Sequence, residues 1–470
     1  MSEEFGRRPG EAADKMLSSI EKHRQSHFQG GWLTPPKALV LGFAAVIGVG
    51  TILLSLPAAA ADGRPLSWID ALFTATSALC VTGLTVVDTG THFSLLGHVV
   101  ILIFLQTGGV GFITMAVVIS VFIGRRVGLR ERLLVQEALG QVKIQGMVRL
   151  ALYILGVALV AEAIGGVLLW ARWQGDLGAG RAAWFAVFHS VSAFVNAGFD
   201  LFAQEGQASL HGYRGDLLVN GVVGGLLFLG SLGVPVLNEI INWRRSRRFT
   251  LHALLVLSVS GLLFLGGGLL IFLTELDSPF FVEELPWGER LLVSLFHAVS
   301  RTGGFSTIPL IEMSAAAWFV LMILMFIGGS TASMAGGVKV NVVGALMFTV
   351  WSVARGREES EAFGRTIPRE TIYKALAVVI GGVVFVMVMT IALNISETLD
   401  PTHLMFEVIS AFGTVGYSLG VTRDLTTVGK LLIVVTMVVG RLGPLTLIAA
   451  LARVQAPQHL RYPEERIMIG

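Results

Sequence analysis

The sequence predicts an all-α polytopic membrane protein. Four tandem helix–pore loop–helix repeats supply eight transmembrane helices and four re-entrant pore helices around a pseudo-fourfold central pore. Three observations predict this. The chain is 54% hydrophobic and only 14% charged, with a mean hydropathy of +0.74. Long apolar runs alternate with shorter, less apolar ones from about residue 37 to 452. Basic residues collect in every second connection, which gives the repeats a common polarity.

Composition also excludes several classes. A net charge of +2, with no basic patch interleaved with aromatics, argues against a nucleic-acid partner. The single cysteine, Cys80, rules out an intramolecular disulfide framework or a thiolate cluster. No HExxH, GxSxG or clustered His/Asp/Cys set appears, so the chain does not read as an enzyme. Without GxxxxGK[ST], or GxGxxG at a strand-to-helix junction, it carries no nucleotide site of its own.

The long apolar runs fall at about 37–60, 95–122, 147–172, 215–242, 251–274, 315–353, 371–394 and 427–452. Each exceeds the ~20 residues a helix needs to cross ~30 Å of hydrocarbon. Between the members of each pair lie the segments 66–80, 181–195, 287–300 and 401–413. These are too short to cross, and fit helices that enter and leave by one face, buried in protein or lining water.

Arg125, Arg126, Arg130, Arg132, Lys143 and Arg149 lie in one connection between pairs, and Arg244, Arg245, Arg247 and Arg248 in the next. Arg355, Arg357, Arg365, Arg369 and Lys374 mark the third. The positive-inside rule places these loops and both termini in the cytoplasm. The chain then divides into a cytoplasmic arm (1–36), repeat 1 (37–124), a cytoplasmic linker (125–146), repeat 2 (147–243), repeat 3 (251–354), repeat 4 (366–453) and a cytoplasmic tail (454–470). The arm lacks the apolar core of a cleaved signal and reads as retained.

Each re-entrant segment ends in a glycine-containing loop, at 81–85, 196–200, 302–306 and 414–418. The fourth reads FGTVGYSLG and shares TVGY with the TVGYG filter of potassium channels. Aligning the glycines groups Val81-Thr82-Gly83, Asn196-Ala197-Gly198, Thr302-Gly303-Gly304 and Thr414-Val415-Gly416 as candidate cation-binding residues. FHSVS at 188–192 matches FHAVS at 296–300, but the third loop is two residues shorter, leaving Gly303 or Gly304 as the aligned glycine. Backbone carbonyls facing a lumen replace the water shell of a dehydrated cation, and glycine permits the backbone conformations this requires. Asp88, Asp200 and Glu407 lie near the loops and are read either as charges at the outer mouth or as ordinary loop and capping acids.

The sixth apolar run is interrupted by MFIGGSTASMAGGVKVNVVG. Gly328, Gly329, Ser330, Thr331, Ser333, Gly336 and Gly337 disfavour a continuous helix, glycine alone by ~1 kcal/mol each. A broken helix at this depth borders a cavity, so 328–337 reads as a gating loop or as a small-residue packing surface. Arg441 stands in an apolar run, where a charge is either functional or snorkels to the surface. Lys339 reads as an interfacial anchor, and His189 and His297 as packing or hydrogen-bonding groups rather than metal ligands.

The four glycine loops, GGSTASMAGGVK at 328–339, GRLGPLT at 440–446 and the terminal RYPEERIMIG together resemble the Trk/Ktr/HKT superfamily of potassium transporters, and its KtrB-type membrane subunits in particular. The two additional N-terminal spans of TrkH-type relatives are absent. The resemblance implies potassium uptake across the bacterial cytoplasmic (inner) membrane, with potassium bound by the filter carbonyls. It implies a homodimer with one pore per protomer, seated on a KtrA-type cytoplasmic nucleotide-binding ring. It further implies sodium stimulation, and places Arg441 beside the pore under the filter. One departure matters: Ser418 stands where TVGYG ends in glycine, which predicts an abbreviated filter with fewer ion sites. The competing reading is an alternating-access secondary cation transporter with one midplane site, which predicts inverted repeats rather than four of equal polarity.

Overall fold

The computed structural model describes residues 35–122 and 147–443. The linker 125–146, the tail, nearly all of the arm and the end of repeat 4 lie outside the described residues.

Repeat 1 comprises α1 (Pro35–Leu54), pore helix α2 (Trp68–Cys80), and α3 (Leu95–Val110) followed by α4 (Phe112–Phe122). Repeat 2 comprises α5 (Met147–Leu177), pore helix α6 (Ala179–Phe194), α7 (Leu217–Leu232) and α8 (Val234–Ile241). Repeat 3 comprises α9 (Leu251–Thr274), pore helix α10 (Trp287–Ser300), α11 (Ala315–Phe326) and α12 (Val340–Ala354). Repeat 4 comprises α13 (Arg369–Ser396), pore helix α14 (Pro401–Gly413) and α15 (Thr427–Leu442). The helix–pore loop–helix unit thus recurs four times.

The first helix of every repeat is continuous and both long and apolar enough to cross a membrane. In α13, Ile380, Val384, Met387, Ile391 and Ile395 are exposed at helical spacing, while Gly382, Val386 and Leu393 are buried. An apolar stripe at that period, left open on the outside, is a lipid-facing surface.

The second helix of every repeat begins with the same device. Ser94, Asp216, Ser314 and Thr426 are N-caps whose side-chain oxygens accept from the backbone N–H of Gly97, Val219, Ala317 and Gly429, three residues on. Four caps at equivalent positions fix where the chain turns back into the bundle.

The second helices of repeats 1 and 2 are not the unbroken spans that hydropathy predicts, while that of repeat 3 carries the interruption expected from its sequence. The 95–122 run breaks at Gly111, and the 215–242 run bends by 105° at Gly233. Residues 327–339 interrupt the third, and α15 is described as far as Leu442, one residue before the described residues end. The glycines align: Gly108–Gly111, Gly230–Gly233 and Gly440–Gly443 share a GxxG spacing, and Gly328 occupies the first position in repeat 3. Gly108, Gly230 and Gly440 press on the carbonyls of Leu79, Phe194 and Phe412, near the ends of their own pore helices, and leave no space for a Cβ. Apolar content alone cannot reveal such a break, because both halves remain hydrophobic.

One feature departs from all-α. Between repeats 3 and 4, β1 (Glu361–Ala362) pairs antiparallel with β2 (Arg365–Thr366) around Phe363-Gly364, both at positive φ. That is the two-residue turn whose twist suits a hairpin.

Candidate pore and gate

The four pore helices end at four loops that close into a ring. A Cβ on Gly83 would collide with the Ala197 carbonyl oxygen, and one on Gly198 with that of Gly303. Likewise Gly304 faces the Val415 carbonyl oxygen, and Gly416 faces that of Thr82. In each case the oxygen belongs to the residue just before the neighbouring loop's glycine, so the sequence 1→2→3→4→1 is complete. All four glycines have positive φ, and each is partly accessible between buried flanking residues. A lumen lined by the backbone at one level is the geometry a dehydrated cation needs.

The ring settles the register of the third loop. Gly304, at φ +66, takes the ring position, and Gly303 supplies the carbonyl that faces Gly198. Val81, Asn196 and Thr414 occupy the left-handed region two residues before their glycines, whereas Thr302 does not. Instead the Thr302 hydroxyl donates to Asn196 Oδ1 at 2.8 Å and joins the second and third loops.

One serine per pore helix braces each loop. Ser77 Oγ accepts from the Gly83 amide at 3.1 Å, and Ser410 Oγ from the Gly416 amide at 3.2 Å. Ser192 and Ser300 donate to the carbonyls of Phe199 and Phe305, both at 2.7 Å. The Tyr417 hydroxyl also donates to Phe305 O, at 3.0 Å, so the fourth loop is fastened to the third. Ser418 Oγ accepts from the Gly420 amide at 3.0 Å and lies 3.0 Å from Thr422 Oγ1.

Glu407 is not a mouth charge. It is fully buried on α14 and accepts from Thr422 Oγ1, behind the fourth loop. Asp88 and Asp200 follow the ring glycines of repeats 1 and 2 by five and two residues: Asp88 lies 3.9 Å from Arg423 of repeat 4, and Asp200 Oδ1 accepts from the Phe202 amide at 3.1 Å. Burial first, then the Asp88 carboxylate, push the Asp200 carboxyl up to about 7.

Residues 327–339 leave the helical path between α11 and α12 and meet repeats 2 and 4. Ser330 N donates to Ser231 O at 2.8 Å, and Met334 N to Gly230 O at 3.1 Å. Gly337 N donates to Gly440 O at 3.3 Å, and Gly336 N to the Thr414 hydroxyl, within the fourth filter loop, at 3.0 Å. Both the Thr331 amide and its hydroxyl donate to Asn341 Oδ1. Gly328 and Gly329 pack on Gly336 O and Ser231 O without room for a Cβ, and the Ser333 hydroxyl is buried without a partner in the structure. The Arg441 guanidinium donates to Met334 O in this segment and to Gly108 O and Gly109 O of repeat 1. Arg441 therefore does not snorkel away. Lys339 is half-buried and turns back, its ammonium donating to Ala335 O at 2.7 Å, rather than anchoring at an interface.

His189 bridges through both ring nitrogens: Nδ1 lies 2.7 Å from Phe185 O, and Nε2 accepts from the Leu201 amide at 3.3 Å. His297 Nδ1 lies 2.8 Å from Val293 O. Among the described residues no group of three or more His, Cys, Asp or Glu is placed to hold a metal ion. A further buried cation, Arg301, follows α10 directly and escaped the reading of the sequence.

Together these features define a multi-pass membrane protein with a four-loop, pseudo-fourfold pathway and a non-helical segment tied against it. Residues 39–460 match the TrkH family, described as "Cation transport protein". The chain is 39% identical over 438 residues to "Ktr system potassium uptake protein B" of Bacillus subtilis (strain 168), covering 93% of this chain and 97% of that one. It is 36% identical over 445 residues to "Potassium/sodium uptake protein NtpJ" of Enterococcus hirae, covering 93% and 98%. The solved potassium transporter TrkH from Vibrio parahaemolyticus shares the fold, with a TM-score of 0.69 at 20% identity, covering 90% of this chain and 86% of that one. The chain belongs to the TrkH family of cation transport proteins.

Proposed function

We propose that this protein is the membrane subunit of a potassium-uptake system, in which potassium crosses the cytoplasmic membrane through the four-loop filter. The observation that carries this reading is the closed ring of glycines and carbonyls from Thr82, Ala197, Gly303 and Val415. Such a ring offers oxygen ligands from all four repeats to one ion, and the pore-helix C-termini bring partial negative charge towards it. The names of the relatives from Bacillus subtilis and Enterococcus hirae support potassium as the cargo, and the second of them supports a link to sodium.

In this reading the segment 328–337 is the gate. Its ties to Thr414, Gly440 and Arg441 support a closed position beneath the filter. The guanidinium of Arg441 adds positive charge to that barrier, so an ion below the ring meets both a backbone obstruction and repulsion. The protein works as a homodimer with its basic loops in the cytoplasm, where a nucleotide-binding regulatory ring sets the gate. It performs no chemical transformation, and sodium stimulates uptake.

The test is complementation. Cells lacking their own potassium uptake, given this protein and its regulatory partner, will grow at low external potassium. Failure to grow despite verified membrane insertion of both would overturn the assignment.

A further inference from the structure

The four repeats join pore helix to second helix in two different ways. In repeats 1, 2 and 4, Gly108, Gly230 and Gly440 bring backbone directly onto the carbonyls of Leu79, Phe194 and Phe412. In repeat 3 the aligned glycine, Gly328, packs instead on Gly336 O of its own segment. The junction is made by a side chain. Arg301 Nη1 donates to Leu324 O at 3.2 Å, to Gly328 O at 3.3 Å and to Ile327 O between them.

Several features of the sequence converge on this contact. The residue after the bracing serine is Ala78, Ala193 and Ala411 in the other repeats, but Arg301 here. The third loop is also the one that is two residues shorter between that serine and the filter glycine. The α11 helix stops at Phe326, which leaves its last carbonyls without helical N–H partners. Gly328 N, the natural donor to Leu324 O, is committed to Val338 O at 2.8 Å. A guanidinium at a helix C-terminus supplies several donors at once and has favourable charge there. Arg301 is 4% exposed, and among the described residues no carboxylate pairs with it. Its charge is therefore met by the first residues of the segment at 327–339 and the end of α11.

We propose that Arg301 is a positioning residue for the gate: it pins the start of the gating segment to the third pore helix, and gate opening releases this joint. The inference rests on the gate reading above. A backbone-on-backbone contact cannot part without moving two helices, whereas a long side chain can leave three carbonyls and let the segment swing. Among the described residues, the joint lies in the one repeat whose second helix is interrupted by a long segment.

The test uses the full-length protein in liposomes, without its regulatory partner. Potassium and sodium fluxes are compared for the wild type, Arg301→Gln, Arg301→Lys, a deletion of residues 331–335, and the deletion combined with Arg301→Gln. Expected are a several-fold rise in potassium flux for Arg301→Gln, a smaller rise for Arg301→Lys, and an unchanged potassium-to-sodium ratio in both. In the deletion background Arg301→Gln adds nothing, because the segment it restrains is gone. Wild-type flux in both single variants, a rise that persists in the deletion background, or a fall in the ratio would each overturn the inference. A flux-raising deletion beside silent Arg301 variants removes this inference alone. A silent deletion removes the gate reading and this inference with it. If Arg301→Gln does not yield monodisperse protein, Arg301→Lys, alone and in the deletion background, carries the same comparison.

Discussion

Gly304 of the third pore loop faces the carbonyl oxygen of Val415 in the fourth, too closely for any side chain to stand between them. This contact closes the third side of the ring although the third loop is the short one. The third loop lacks the non-glycine residue at positive φ that the other three carry, yet its glycine still meets its neighbour. The ring is therefore a property of the assembled repeats and not of any one motif. TVGY is intact in one loop only.

Tyr417 is a fastener between two loops. Its ring stacks on His297, with centroids 5.9 Å apart, and its hydroxyl reaches Phe305 O. Tyr417→Phe keeps the packing and removes that hydrogen bond, while Ser300 still satisfies the carbonyl. We expect a loss of about 1 kcal/mol in stability and a reduced potassium-to-sodium ratio. Thermal unfolding in detergent and ion-resolved flux check the two effects. An unchanged ratio would mean that the fourth loop holds its position without this tie.

We expect Asp200 to give ion uptake a pH dependence. With its carboxyl raised to about 7 by burial and by Asp88, and opposed by the Phe202 and Ser209 amides, it is neutral below that value and anionic above it. Because the folded pKa is raised, the stability this group contributes is fully present below the ordinary carboxylate pKa and is lost as pH rises through about 7. The opposite trend holds for ion capture: apparent potassium affinity rises from about pH 6 to about pH 8, as the group gains its charge. Asp200→Asn flattens that rise. A wild-type affinity independent of pH on the pore-loop side would contradict the role.

We expect that shortening the segment 328–337, or replacing Arg441 with alanine, raises flux several-fold in the protein reconstituted alone. Arg441 joins repeat 4 to the segment and to the Gly108 and Gly109 carbonyls, so its loss frees the segment at its middle. Flux equal to wild type in both variants would remove the gate from this account.

Much of this arrangement can be read from the chain because membrane constraints are strict. The pore helices fall within two residues of the segments 66–80, 181–195, 287–300 and 401–413, since their length and polarity exclude both a span and a soluble loop. The breaks at Gly111 and Gly233 are hidden, because a helix that pauses between two apolar halves does not change the hydropathy. Burial of Glu407 is hidden for another reason: its partner Thr422 lies fifteen residues on, beyond the filter. Lys339 and Arg301 show as isolated charges, and only the folded chain reveals which carbonyls they serve.

The ring of four glycines is the central claim, and cation-resolved flux tests it most directly. Full-length protein in liposomes is compared with its Gly83→Ser, Gly198→Ser, Gly304→Ser and Gly416→Ser variants for potassium, rubidium and sodium. The account predicts that wild type prefers potassium, and that the variants lose selectivity by ~10-fold, equivalent to ~1.4 kcal/mol of discrimination, or lose potassium affinity. Four folded variants that all transport with wild-type affinity and selectivity would contradict it.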